Sequence, residues 1–120
     1  MTSEQIPAEL QGALKRLGGD IALLQDMARF YLEDSPQLLR DLEHHLKSGQ
    51  AMAAKRSAHS LKGLSANFDR IELIEACADA ERLAHAGQLD EARSILPNVQ
   101  SQANRLAVDL AEFLQDDRTN

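Results

Sequence analysis

Apolar residues recur every three to four positions along most of this chain, the spacing that gathers them on one side of a helix. The longest case follows Leu89. Ala92, Leu96, Val99, Ala103, Leu106, Leu110 and Phe113 are separated alternately by four and three residues, the seam of a bundle helix. Pro97 falls inside this run, but the stripe keeps its phase on both sides, which predicts a kink rather than a break.

The earlier segments divide in the same way. Ile6 to Leu17 reads as a short helix with Pro7 in its first turn and Gly18-Gly19 at its end, a lid on the rest. Asp20 is placed to cap a helix from Ile21 to about Glu33, with Ile21, Leu24, Met27, Ala28 and Tyr31 as its buried stripe. Asp34-Ser35-Pro36 is a stop signal, with Ser35 as cap and Pro36 at the first position of a helix carrying Leu38, Leu39, Leu42 and Leu46. The two segments are also compatible with one long kinked rod.

Gly49 ends that rod, and a helix over Gln50 to Phe68 follows almost without a loop, so the two should run antiparallel. Asp69 is placed to cap the next helix, with Glu72 reaching back to it and Phe68 and Leu73 spaced as a hydrophobic staple. Leu73, Cys77, Ala80 and Ala84 form its buried stripe, and Gly87 ends it. No segment alternates as a strand does. The pattern predicts an all-α fold, an antiparallel four-helix bundle with an additional short N-terminal helix. A single domain is expected over residues 1–120, with its core at about 20–115 and a frayed tail at 116–120.

Composition narrows the function classes. The 120 residues are 43% hydrophobic but only 3% aromatic, which points to an aliphatic core. A formal net charge of -6 argues against a nucleic-acid binder, which needs a basic face to displace phosphate counterions. Cys77 is the single cysteine, so an internal disulfide and a cysteine-based zinc site are excluded. No apolar run approaches the length of a membrane span, and MTSEQIPAEL lacks the regions of a signal peptide. The expected setting is the cytoplasm.

Candidate chemistry sits on the helix over Gln50 to Phe68. Ala54, Ser57, Ala58, Leu61, Leu64, Ser65 and Phe68 gather on the core side, which aims His59 at solvent. Within about 60° of it on the helical wheel lie Met52, Lys55, Arg56, Lys62, Gly63 and Ala66. A neutral imidazole is a nucleophile toward phosphorus, and neighbouring cations disfavour its protonation while supplying counter-charge for an attached phosphoryl group. Gly63 leaves no side chain beside the ring, at a cost of roughly 1 kcal/mol in helix propensity relative to alanine.

The stretch AHSLKGLSANFD resembles the signature of the histidine-containing phosphotransfer (HPt) domain, in which a histidine is followed at three residues by lysine and at four by glycine. Ala58, Leu61 and Ser65-Ala66-Asn67 are also similar to that family, as is the preceding EDSPQLLRDLEHHLKSGQ, and the resemblance extends over roughly Leu24 to Leu114. It implies that His59 is phosphorylated, that Lys62 neutralises the phosphoryl group and that Gly63 leaves room for it. The implied protein is a phosphocarrier rather than an enzyme. It passes phosphate between the aspartates of receiver domains, with a hybrid sensor histidine kinase upstream. Magnesium would belong to the receiver, and the chain itself would hold no metal or other cofactor. Met52, Lys55, Arg56 and Ala66 would serve docking. Glu81, Arg82 and His85 are candidates for a polar side chain that many members place on the next helix near the phosphoryl group. Two positions depart from the pattern: the family often has serine where Leu64 stands and glycine where Asp69 stands. A single exposed site suggests a monomer that meets its partners transiently, away from nucleic acid and membrane.

Two other classes compete with that reading. A helical adaptor could bind receiver domains or a sensor kinase without carrying phosphate, in which case replacing His59 would leave its activity intact. An autophosphorylating histidine kinase also presents a histidine on a helical bundle, but this chain has no second domain for ATP, and the residues after His59 lack the acidic-then-proline pattern of such kinases.

Overall fold

In the computed structural model, residues 1–119 are described, with side chains described through Gln115. An N-terminal 3₁₀ turn, Ser3–Gln5, leads to five helices: α1 (Ala8–Arg16), α2 (Ile21–Lys47), α3 (Ala51–Ser65), α4 (Ile71–His85) and α5 (Leu89–Thr119). The expected frayed end at 116–120 lies, apart from the helical backbone to Thr119, outside the described residues. No strand occurs among the described residues.

Helices α2 to α5 form a ring in which α2 packs on α3, α3 on α4, α4 on α5 and α5 back on α2. Their direction follows from the polar contacts between them. Tyr31 donates its hydroxyl proton to the carbonyl of Ala103 at 2.9 Å, and Arg93 Nε donates to the carbonyl of Leu46 at 2.9 Å. Rising numbers in α2 therefore meet falling numbers in α5, as expected for antiparallel neighbours. The bundle is elongated, 47 × 22 × 18 Å, and α1 closes one part of it by packing on α2 and on the turn after α3.

The apolar stripes of α4 and α5 are buried where the spacing placed them, while in α2 Leu24, Ala28, Tyr31, Leu42 and Leu46 are buried and Ile21, Met27, Leu38 and Leu39 are half-buried at the edge of the core. Ala92, Leu96, Val99, Ala103, Leu106, Leu110 and Phe113 of α5 all lie in the core, as do Leu73, Cys77, Ala80 and Ala84 of α4. Both internal prolines sit within unbroken helices. Asp34-Ser35-Pro36 does not end α2, although a proline inside a helix costs about 3 kcal/mol. Tyr31, Leu42 and Leu46 are fully buried on either side of it, and Ser35 is buried within the helix instead of capping one. Burial continuous across the proline outweighs its local cost. Asp20 caps α2 as expected, accepting from the backbone N–H of Leu23 at 3.0 Å.

Corrections concentrate at two helix ends. Helix α1 begins only at Ala8, so Ile6 is buried in an extended segment before it and Pro7 stands at the cap. Helix α3 ends at Ser65 and tightens into a 3₁₀ turn, Ala66–Phe68. Asp69 does not cap α4. Its backbone is left-handed, φ 55° and ψ 26°, and Arg70 occupies the cap position without a capping hydrogen bond from its side chain, which reaches Asp109 of α5 instead. A left-handed position explains the family's frequent glycine there, and aspartate is among the side chains that tolerate it best. The Asp69 carboxylate pairs with Arg16 of α1, which also donates from Nη1 to the carbonyl of Ala66 at 3.1 Å. Phe68 and Leu73 are both buried, but as parts of the common core.

Candidate functional site

The site lies on the α3–α4 face of the ring. Gly49, with φ 73°, supplies the left-handed turn that folds α3 back along α2, and Ala54, Ser57, Ala58 and Leu61 bury the inner face of α3. This leaves His59 outward, its side chain 68% exposed. Leu64, expected on the core side, is half-buried and packs on the rim of the core.

Across the groove, Glu81 of α4 meets both sequence-derived residues. Its two carboxylate oxygens each lie 3.1 Å from Nδ1 of His59. Nζ of Lys62 donates to the same oxygens at 3.1 and 3.4 Å. Burial works against the charged form of Glu81, but hydrogen bonds from Lys62 and His59, together with their charges, outweigh it and hold the carboxyl below the usual glutamate range. The group is therefore ionised at neutral pH and only accepts. A neutral His59 must then carry its proton on Nδ1, which leaves the Nε2 lone pair facing solvent.

Of the three residues on α4 that sequence could not separate, Glu81 thus contacts His59. His85 pairs instead with Lys55, Nδ1 to Nζ at 3.1 Å, and Arg82 reaches Asp79 on its own helix at 3.5 Å. Lys55, Glu81, Arg82 and His85, with Ala78, line a shallow groove beside the histidine. The surround inferred from the helical wheel is correspondingly less basic than expected, because the Glu81 carboxylate stands among these cations, paired with Lys62. Arg56 and Ala66 are exposed, and Met52 is exposed to 53%, on the same side of α3 as His59. A Cβ added at Gly63 would meet nothing within 4 Å, so the space beside the ring is open.

Cys77, one turn before Glu81, is buried, and its thiol is pushed up to about 12, mainly by burial and also by Glu81, against the pull of Lys62. It is a core residue. Among the described residues no three His, Cys, Asp or Glu side chains converge as metal ligands, and no helix is long and apolar enough to cross a membrane.

Fold and site together define a helical bundle that presents an oriented, solvent-facing imidazole with a lysine and an open glycine position beside it. This is the architecture of a histidine carrier. The chain belongs to the Hpt domain family, whose model matches residues 26–116, and its role is phosphotransfer in a phosphorelay. The crystal structure of histidine-containing phosphotransfer protein B (HptB) from Pseudomonas aeruginosa PAO1 is similar, with a TM-score of 0.79 at 22% sequence identity, over 92% of this chain and 95% of that one. At that identity the likeness speaks for the fold. No curated protein matches the chain in sequence.

Proposed function

We propose that His59 is the residue that carries the phosphoryl group, taking it from the aspartyl phosphate of one receiver domain and passing it to the aspartate of another. The observation that carries this reading is the ionised carboxylate of Glu81 at Nδ1 of an otherwise exposed ring. It fixes the tautomer that a phosphoryl acceptor needs.

In the forward step the Nε2 lone pair attacks phosphorus, the bond from phosphorus to the aspartyl oxygen breaks, and the carboxylate leaves. The product ring is cationic and keeps its Nδ1 proton against Glu81. In the return step the ring departs as neutral imidazole rather than imidazolate, so the same proton serves both directions. Lys62, close enough to share Glu81, supplies positive charge for the phosphoryl oxygens. Gly63 keeps the approach open, and Met52, Lys55, Arg56, Ala66 and Arg82 form the rim on which a receiver docks.

The chain acts in this reading as a phosphocarrier rather than an enzyme in its own right. Charge neutralisation by magnesium is expected from the receiver, and the carrier contributes a nucleophile, a counter-charge and a docking face. It works as a cytoplasmic monomer that meets receiver domains and a hybrid sensor histidine kinase in turn, without nucleic acid or membrane. The test is phosphate transfer from a panel of phosphorylated receiver domains to the wild-type chain and to His59→Gln. An acid-labile, alkali-stable phosphate on the wild type alone is expected. If neither protein is labelled while both still bind a receiver, the carrier reading fails and the chain is a helical adaptor.

A further inference from the structure

Two histidines face the groove between α3 and α4, and the groups at their Nδ1 atoms are chemical opposites. Nδ1 of His59 meets the carboxylate of Glu81, whereas Nδ1 of His85 meets the ammonium of Lys55 at 3.1 Å. A carboxylate only accepts and an ammonium only donates. Neutral His59 therefore has its proton on Nδ1 and a free lone pair on Nε2. In neutral His85 the lone pair is on Nδ1, committed to Lys55, and the proton is on Nε2. Only a nitrogen with a free lone pair can attack phosphorus.

The two pairs are successive rungs of one ladder. Lys55 precedes His59 by four residues on α3, and His85 follows Glu81 by four on α4. One helical turn, about 5.4 Å, separates them, and both imidazoles are exposed. A phosphoryl donor seated over His59 is therefore within a turn of a second imidazole. The other charged groups of the groove do not set the state of His85, because Glu81 is shared by His59 and Lys62 and Arg82 turns to Asp79.

We propose that Lys55 determines which histidine of this groove accepts phosphate: by occupying Nδ1 of His85 it holds that ring in the Nε2–H form and confines the chemistry to His59. The proposal rests on the reading of His59 as the acceptor. It implies that reversing the charge at position 55 arms His85. In Lys55→Glu the new carboxylate faces Nδ1 as Glu81 faces its own partner, so Nδ1 of His85 takes the proton and Nε2 gains the lone pair. Toward phosphoramidate, the Nε2–phosphorus bond then forms, the phosphorus–nitrogen bond breaks, and the already protonated nitrogen leaves as ammonia. The Nδ1 proton stays on the ring.

The experiment uses phosphoramidate, which needs no docking, on His59→Gln and on Lys55→Glu/His59→Gln, with circular dichroism to confirm that both fold. Imidazole nitrogen NMR reads the tautomers of His59 and His85 in the wild type and of His85 in each variant. The expected result is opposite tautomers in the wild type and background labelling of His59→Gln. In the double variant, labelling should rise on the order of 100-fold, the scale of a positioned acid–base partner, and should vanish when His85→Gln is added. Labelling of His85 in the single variant, an Nδ1–H form of His85 in the wild type, or a double variant with unchanged tautomer and labelling would each overturn the proposal. A wild type that fails to label at His59 would count against the acceptor reading instead, and the tautomers would still decide the role of Lys55.

Discussion

Glu81 presents both oxygens of its carboxylate to Nδ1 of His59, each at 3.1 Å, from a helix that His59 does not belong to. The bond fixes which nitrogen is nucleophilic, and it does so only while the residue is an obligate acceptor. In Glu81→Gln the amide can donate or accept, so the ring is no longer held with its proton on Nδ1. Phosphoryl acceptance should fall on the order of 100-fold with the helical content unchanged. Initial labelling rates of the two proteins from one phosphorylated receiver domain measure this, and equal rates would remove Glu81 from the chemistry.

The same carboxylate makes a pH-dependent contribution to stability. Its folded value is held below the ordinary 4.5, because hydrogen bonds and charge from Lys62 and His59 outweigh burial. A depressed carboxyl stabilises the fold fully above the unfolded value, and that stabilisation is lost as pH falls through the folded value. The difference in urea midpoint between wild type and Glu81→Gln should therefore narrow between neutral pH and well below 4.5. Glu43, also held low, chiefly by its hydrogen bond from Lys47, titrates in both proteins and cancels. A difference that stays constant with pH would show that Glu81 gains nothing from its partners.

Most of the bundle was legible because burial and helical period agree: the α5 seam reads directly from its spacing, and each of its members is in the core. His59, Lys62 and Gly63 were legible because they share one face of one helix. Glu81 was harder, since its role depends on the register between two helices. That register was present in retrospect. His59 and Glu81 lie eleven residues either side of Arg70, and Lys55 and His85 fifteen, as an antiparallel hairpin centred on the α3–α4 turn requires. What hid it was the turn itself. Asp69 followed by Glu72 looks like a helix cap, whereas the backbone there is left-handed and the aspartate serves Arg16 from a helix far away in sequence.

That turn gives a test in which two small terms oppose each other. Asp69→Gly removes a non-glycine residue from φ 55° but loses the pair with Arg16, whose two side chains are 52% and 40% exposed. Relief of a left-handed conformation is worth about 1 kcal/mol, and an ion pair this exposed about 0–1 kcal/mol. The glycine variant should therefore stay within about 1 kcal/mol of wild type. Asp69→Val loses the pair and adds a branched side chain to the left-handed backbone, so it should be destabilised by about 1–2 kcal/mol or more. Urea unfolding of the three proteins decides the matter, and a valine variant as stable as the glycine one would show that the turn rearranges.

Gly63 separates folding from function most cleanly. It lies inside α3 with no left-handed backbone, and a Cβ there would meet nothing within 4 Å. On structural grounds alone, alanine is the better residue at this position. Gly63→Ala should raise stability by about 0.5–1 kcal/mol through helix propensity. If the open position serves the approach of a receiver to His59, the same substitution should slow transfer from a phosphorylated receiver while leaving labelling by phosphoramidate, a much smaller donor, nearly unchanged. Loss with the receiver and not with phosphoramidate places the role of Gly63 in partner access. Equal loss with both donors would instead place it at the phosphoryl group itself. No loss with either would leave Gly63 without a function in transfer.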